Sequence, residues 1–100
     1  MTIKIKKENL PKDGEYKTID FPEAKNEILI YKPNGKPFLI YSSFCPHFGG
    51  PLAIKDGKLH CYFHDYYFSI QDGSCLNRQM GAKCLKLQYF SENDGLSVEI

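Results

Sequence analysis

Two short segments of this chain each combine one cysteine with one histidine, and they constrain its fold more than any other feature. Cys45 and His47 lie two positions apart, Cys61 and His64 lie three apart, and thirteen residues separate the two pairs. Two thiolates and two imidazoles at this spacing can hold either a zinc ion or a two-iron, two-sulfur cluster. The fold therefore has to bring two separate segments together around one metal centre.

The residues that flank the two pairs favour the cluster over zinc. Gly49 and Gly50 follow the first pair, and glycines let backbone amides come close enough to donate hydrogen bonds to an inorganic sulfide. Pro46 and Pro51 stiffen the same loop and reduce the entropy that is lost when it is ordered. Nine of the fourteen aromatic residues lie between positions 38 and 68, enough to surround a site and exclude water from it.

Composition and charge describe a globular domain and exclude several classes of partner. The 100 residues are 42% hydrophobic and 25% charged, which fits a single domain over 1–100. The formal net charge of +1 argues against nucleic acid or an anionic membrane as the partner. No apolar stretch reaches the ~20 residues of a membrane helix, and the N-terminus lacks the apolar core of a signal peptide. We expect a cytoplasmic monomer with reduced cysteines.

Turn residues divide the chain into short segments without helical periodicity, apart from one candidate helical turn at 22–25. Turns are predicted where Gly, Pro, Asn and Asp cluster, and Asn34-Gly35 is expected to adopt the positive φ angles of a tight hairpin. The intervening runs predict strands at 3–5, 16–19, 27–32, 37–42, 58–62, 67–70, 84–90 and 96–100. This spacing predicts an all-β fold, an antiparallel β sandwich or small barrel, with the Cys/His segments at the tips of hairpins.

The motifs around the two pairs resemble a known family. Cys-x-His-x-Gly-Gly-x-Leu begins at Cys45, Cys-x-x-His begins at Cys61, and Phe-Ser-Ile-Gln-Asp-Gly begins at Phe68. Together they are similar to the Rieske iron–sulfur domain in its soluble ferredoxin form, over at least 42–73. The resemblance extends to the expected fold, with two loops, at about 43–52 and 61–68, forming a small cluster-binding subdomain on antiparallel strands.

The same resemblance implies the cofactor and its ligands. The cofactor would be a Rieske-type [2Fe-2S] cluster, with Cys45 and Cys61 on one iron and with His47 and His64 on the other. We expect the chain to be an electron carrier rather than an enzyme, because no catalytic group accompanies these four ligands. The donor would be a flavoprotein NAD(P)H reductase, and the acceptor a terminal oxygenase or a similar protein.

Two alternatives remain open from the sequence. One is the small subunit of an assimilatory nitrite reductase, which belongs to the same fold. The other, from a different class, is a Cys2His2 zinc-binding interaction module, which needs only the four ligands. The zinc module leaves the glycine pair, Leu52 and the downstream phenylalanine without an explanation.

Several positions differ from the high-potential members of the resembled family. Positions that hold a loop disulfide in those members are Gly50 and Phe63 here, and positions that hold sulfur-bonding hydroxyls are Tyr66 and Phe68. Without the disulfide and one hydroxyl, we expect a potential near the low end of roughly −150 to +300 mV. Asp65 stands where the family usually has glycine or a small or polar residue. We expect it to face solvent, since an unpaired charge is costly to bury.

The remaining candidates have structural interpretations. His60 directly precedes Cys61, and neighbouring side chains of a strand point to opposite faces, so a surface or cross-strand role is expected rather than ligation. Cys75 and Cys84 lie near predicted strands and are expected to be core thiols. Seven further apolar residues are predicted to lie in the core: Leu52, Ile54, Leu59, Ile70, Leu85, Leu87 and Val98.

Overall fold

Short strands make up nearly all of the regular structure in the computed structural model, which describes residues 2–21, 26–43, 52–62, 65–77 and 83–99. The described part of the chain contains no helix that is long and apolar enough to cross a membrane. Its elements are β1 (Thr2–Lys6), a 3₁₀ helix (Lys7–Asn9), β2 (Tyr16–Phe21), β3 (Asn26–Tyr31), β4 (Leu39–Ser42), β5 (Leu52–Lys55), β6 (Lys58–Cys61), β7 (Tyr66–Phe68), β8 (Tyr89–Glu92) and β9 (Gly95–Glu99).

These strands form three antiparallel sheets of three strands each, in the orders β1-β9-β8, β2-β3-β4 and β5-β6-β7. The second and third sheets are built from consecutive strands, as expected where tight turns separate short strands. The first sheet places β9 between β8, its hairpin partner, and β1 from the start of the chain. The predicted all-β antiparallel fold is confirmed.

Strands β3 and β4 of the β2-β3-β4 sheet lie between two apolar clusters and are buried on both faces, whereas β2 is largely exposed. Along β3, Ile28 and Ile30 face one cluster and Leu29 faces the other, and all three are fully buried. A strand covered on both sides is a continuous apolar run, because successive side chains point to opposite faces. Ile40 and Tyr41 divide in the same way along β4. This sheet therefore joins the terminal sheet to the β5-β6-β7 sheet.

The predicted turns form with different geometries. Asp56 (φ 53°) and Gly57 (φ 73°) connect the paired residues Lys55 and Lys58, so both central residues of this two-residue hairpin have positive φ. At the turn between β3 and β4, only Gly35 takes a positive φ, of 71°. The expectation that Asn34 would also do so is wrong. There, the turn closes instead with a hydrogen bond from the amide of residue 36 to the carbonyl of residue 33.

Two sequence predictions about the segment before β8 are wrong. The strand predicted at 84–90 begins only at Tyr89, and Leu85 is 63% exposed rather than buried in the core. The buried residues Cys84 and Leu87 are three positions apart, which breaks the two-residue period of a strand. The segment lies along β4, where Ser42 N donates to Leu85 O and Leu87 N donates to Ile40 O.

Other predicted features had mixed outcomes. Leu52, Leu59, Leu87 and Val98 are buried as predicted, and Ile54 and Ile70 are partly buried. Strand β5 was not predicted, because its four residues lie between a glycine-rich segment and a turn. The candidate helical turn at 22–25 lies outside the described residues.

Gly73 provides a test of how the segment at 83–87 packs. Gly57 and Gly73 have nearly the same φ, 73° and 78°, but an added Cβ meets open space at Gly57 and collides with the Cys84 carbonyl at Gly73. We expect Gly57→Ala to lower the free energy of unfolding by about 1 kcal/mol, for the positive φ alone. Gly73→Ala should cost about 2 kcal/mol more, because the backbone has to shift. Urea denaturation measures both, and equal losses would contradict this packing.

Tyr41 predicts a difference in alkaline stability. Its side chain is 1% exposed and its hydroxyl donates to the Ile70 carbonyl at 2.8 Å. Burial, followed by the charges of Cys84 and Asp72, raises the pKa of Tyr41 to about 12. The native state therefore retains this proton more tightly than the unfolded state, whose tyrosine pKa is about 10. The resulting stabilisation is complete below pH 10 and is lost as the pH rises towards 12.

Comparison with Tyr41→Phe isolates this effect, since every other group titrates in both proteins. Between pH 9 and pH 11, the wild type should lose about 1 kcal/mol of unfolding free energy relative to the variant. Urea titrations at each pH provide the measurement. If the difference in unfolding free energy between the wild type and Tyr41→Phe stayed constant from pH 9 to pH 11, the Tyr41 hydroxyl would not be buried as described.

Candidate metal centre

The strand register brings the bases of two loops together at one end of the β5-β6-β7 sheet. Leu52 pairs with Cys61, and Cys61 pairs with Tyr66 on the next strand. The first loop (44–51) ends at Leu52, and the second loop (62–65) connects Cys61 to Tyr66. Because these three residues lie side by side across the sheet, the residue that follows the first loop and the two residues that flank the second loop lie at the same end of the sheet.

Ser43 fixes the start of the first loop and is fully buried. Its amide donates to the Glu27 carbonyl at 2.9 Å, and its hydroxyl donates to the Glu27 carboxylate at 2.8 Å. Its own carbonyl accepts from the amide of Leu52 at 2.9 Å, across the base of the loop. These contacts connect the first loop to β3 at one side and to β5 at the other.

Of the four predicted ligands, the structure describes Cys61, while Cys45, His47 and His64 lie outside the described residues. Cys61 is the last residue of β6 and is fully buried in the apolar cluster that also contains Leu52, Leu59, Phe68 and Cys84. A water-excluded thiol at the shared base of both loops suits a cluster ligand. In the described stretches, no three His, Cys, Asp or Glu side chains come together as a metal site.

The second loop is shorter than the predicted range of 61–68. Cys61 still belongs to β6, and the ladder resumes at Tyr66 and continues to Phe68. The first loop, predicted over 43–52, likewise ends where Leu52 begins β5. Phe68 is fully buried in the same cluster as Cys61 and, having no hydroxyl, contributes packing alone.

His60 occupies a place that the sequence indicated only in part. It pairs across the ladder with Tyr67, which confirms the cross-strand role, but it is 2% exposed and so does not lie at the surface. The Tyr67 ring stacks on it with centroids 4.6 Å apart, and the Tyr62 ring meets it edge-on at 4.7 Å. Stacking between neighbouring strands buries the imidazole.

Asp65 is the other residue whose role sequence reasoning missed. Its side chain is 79% exposed, which confirms that it faces solvent, yet its Oδ1 lies 2.9 Å from Nε2 of His60. The available signal was an aspartate at a position where the resembled family usually has glycine or a small or polar residue. Asp65 has a φ of 50°, the left-handed region that glycine adopts most easily.

The two cysteines outside the motifs differ from each other. Cys84 is buried in the core, as predicted. Cys75 is only partly buried, and its Sγ lies 3.7 Å from Oδ1 of Asn77. Because the Cys75 thiol is free, there is no disulfide between these two residues.

Comparison with known proteins extends these observations beyond the motifs. Residues 2–90 match the family model of the Rieske [2Fe-2S] domain. The ferredoxin component of the alkene monooxygenase system of Xanthobacter autotrophicus (strain ATCC BAA-1158 / Py2) is 35% identical over 69 residues, which cover 65% of this chain and 54% of that protein. The match thus spans about half the length of this relative.

Two solved structures share the fold at low sequence identity. A chain in a complex of reduced oxygenase and oxidized ferredoxin of carbazole 1,9a-dioxygenase has a TM-score of 0.77 and 13% identity, covering 97% of this chain and all of that one. A chain named as the small subunit of an NADH-dependent nitrite reductase, from Mycobacterium tuberculosis, has a TM-score of 0.69 and 12% identity. That alignment covers 98% of this chain and 93% of the other.

The family match covers most of the sequence, and it agrees with the antiparallel sheets and with a buried cysteine at the base of two loops. The chain belongs to the Rieske [2Fe-2S] domain family, whose cofactor is a Rieske-type [2Fe-2S] cluster.

Proposed function

We propose that this protein is an electron carrier, not an enzyme, and that it passes single electrons to a terminal oxygenase. The observation that carries the proposal is the alignment of Leu52, Cys61 and Tyr66, which gives two loops a common base in a Rieske domain. The 35% identical relative is a ferredoxin component of an alkene monooxygenase system, which supports the same class of role. We also propose that 1–100 form a single domain.

Of the four proposed ligands, Cys61 ends β6, and the other three belong to the segments 44–51 and 62–65. Cys45 and Cys61 would hold one iron, and His47 and His64 the other. When bound, the cluster supplies a centre that accepts and releases one electron. Two thiolates and two neutral imidazoles contribute two negative charges, whereas four thiolates contribute four, so this donor set makes reduction easier than in an all-cysteine site.

The described residues around Cys61 exclude water from the thiol. Leu52, Phe68 and Tyr41 pack in the same buried cluster as Cys61. Leu29, from the β2-β3-β4 sheet, also packs in it. A rigid, dry base lowers the cost of reorganising the surroundings when charge changes.

We propose that the electron donor and the electron acceptor of this carrier are both proteins. The acceptor would be a terminal oxygenase, since a structurally similar chain occurs in a complex of an oxygenase with a ferredoxin. The donor would be a flavoprotein NAD(P)H reductase, and the carrier a cytoplasmic monomer. A net charge of +1 supports neither nucleic acid nor an anionic membrane as a partner.

A second candidate is the small subunit of a nitrite reductase, because a chain with that name shares the fold. The two roles differ in their partner. Tagged protein that copurifies with a reductase flavoprotein and supports an oxygenase would favour the carrier. Stable assembly with a nitrite reductase large subunit would favour the alternative. The Rieske family assignment argues against the zinc-binding module.

Cysteine substitutions test the ligand assignment directly. We expect purified wild-type protein to be red-brown, with iron and acid-labile sulfide in equal amounts and an EPR signal only after reduction. Cys61→Ser should lose most of the iron and sulfide, because a ligand is removed from the base of both loops. Cys75→Ser is the matched control and should retain both, since its thiol lies outside the motifs.

Other results would overturn the proposal. A colourless wild-type protein that contains zinc and no sulfide would exclude the electron carrier. Normal cluster content and spectrum in Cys61→Ser, or in His47→Ala, would show that the ligands are assigned wrongly.

The reduction potential provides a separate test. We expect a value in the lower part of the range of roughly −150 to +300 mV, near −150 mV, because Phe68 lacks a hydroxyl and Gly50 and Phe63 cannot form a loop disulfide. An EPR-monitored redox titration measures it. A midpoint well above 0 mV would contradict the proposed low-potential carrier.

A further inference from the structure

The second loop ends at a residue whose backbone is held in an uncommon conformation. Asp65 has φ 50°, and Asp56 at φ 53° is the other non-glycine residue with positive φ in the described part of the chain. Aspartate tolerates this region better than most residues. Asp56 belongs to the tight turn of the β5–β6 hairpin, which explains its geometry. Asp65 belongs to no such two-residue turn.

Two hydrogen bonds hold Asp65 in this conformation. Its Oδ1 lies 2.9 Å from Nε2 of His60, and its carbonyl oxygen accepts from Nδ2 of Asn77 at 2.8 Å. Asn77 is fixed in turn, because its Oδ1 accepts from the backbone amide of Tyr67 at 3.0 Å. Asp65 is therefore connected to β6 through its side chain and to β7 through its carbonyl.

His60 is a rigid partner in this arrangement. It is 2% exposed and packs against the rings of Tyr62 and Tyr67. An ionised carboxylate can only accept, so Nε2 carries the hydrogen of the bond to Asp65. The other ring nitrogen, Nδ1, has no hydrogen-bond partner among the described residues. Among the described residues, the His60 ring therefore hydrogen-bonds through Nε2 to Asp65, at the end of the second loop.

We propose that His60 and Asp65 are positioning residues for the metal centre, which hold the end of the second loop at the residue that follows His64. The inference rests on the proposed function, in which His64 is a ligand. The φ angle of Asp65 is the rotation about its N–Cα bond, so it sets the direction of the peptide group that joins it to His64. Asp65 itself is anchored to β6 through His60 and to β7 through Asn77.

Three variants separate the hydrogen bond from charge and from backbone strain. Asp65→Asn removes the charge but retains an acceptor for His60 and tolerance of positive φ. Asp65→Gly retains the backbone conformation but removes the acceptor. His60→Phe retains the stacking on Tyr67 but removes the donor, and it also removes the buried Nδ1 that has no described partner.

The EPR spectrum of the reduced protein is the readout, because it reports the geometry of the iron ligands rather than stability. We expect Asp65→Gly and His60→Phe to retain iron and sulfide but to show shifted or broadened g values. Asp65→Asn should retain the wild-type line shape. Asp56→Gly is the matched control, since it makes the same change at nearly the same φ in the turn at the other end of β6, and its spectrum should not change.

The outcomes distinguish this inference from the proposed function. Wild-type spectra in both Asp65→Gly and His60→Phe at full iron content would overturn the positioning role, even if the unfolding temperature fell. The same g-value change in Asp56→Gly would also overturn it, because the effect would then not depend on the His60 bond. A wild-type protein without iron, sulfide or an EPR signal would refute the proposed function itself, and the positioning role with it.

Discussion

The pairing of Leu52, Cys61 and Tyr66 across the β5-β6-β7 sheet is the constraint on which the rest of the site depends. Side chains alternate along a strand, so a slip of one residue would move Cys61 out of its apolar cluster and onto the face that His60 occupies. The two-residue turn at Asp56 and Gly57 prevents that slip on one side, because it determines which residues pair. The short second loop restricts the register on the other side.

The β2-β3-β4 sheet holds the β5-β6-β7 sheet in place. Tyr41 on β4 packs in the same cluster as Cys61, and its hydroxyl bonds the carbonyl of Ile70, just beyond β7. Ser43 at the end of β4 connects the first loop to Glu27 on β3. The two loops thus start from different sheets that share one buried cluster, and this cluster contains Cys61.

Sequence reasoning succeeded where one local rule determined the structure. The Asp and Gly at 56–57 predicted a turn, and the run at 3–5 predicted β1. It failed where tertiary contacts decided the outcome, as at Leu85, which lies beside β4 with its side chain in solvent. His60 was assigned its cross-strand pairing but not its burial, because the rings that cover it come from a neighbouring strand and loop. The Asp65 contact has no sequence signature beyond an unexpected aspartate.

The central claim is that two histidines and two cysteines hold the cluster, and the chain has only three histidines. Electron spin-echo spectroscopy of the reduced protein with ¹⁵N-labelled histidine tests it most directly. We predict two strongly coupled histidine nitrogens in the wild type, both retained in His60→Phe, and one fewer in His47→Ala if a cluster still assembles there. Absence of histidine coupling in the wild type, or loss of one in His60→Phe, would contradict the assignment of His47 and His64 as ligands.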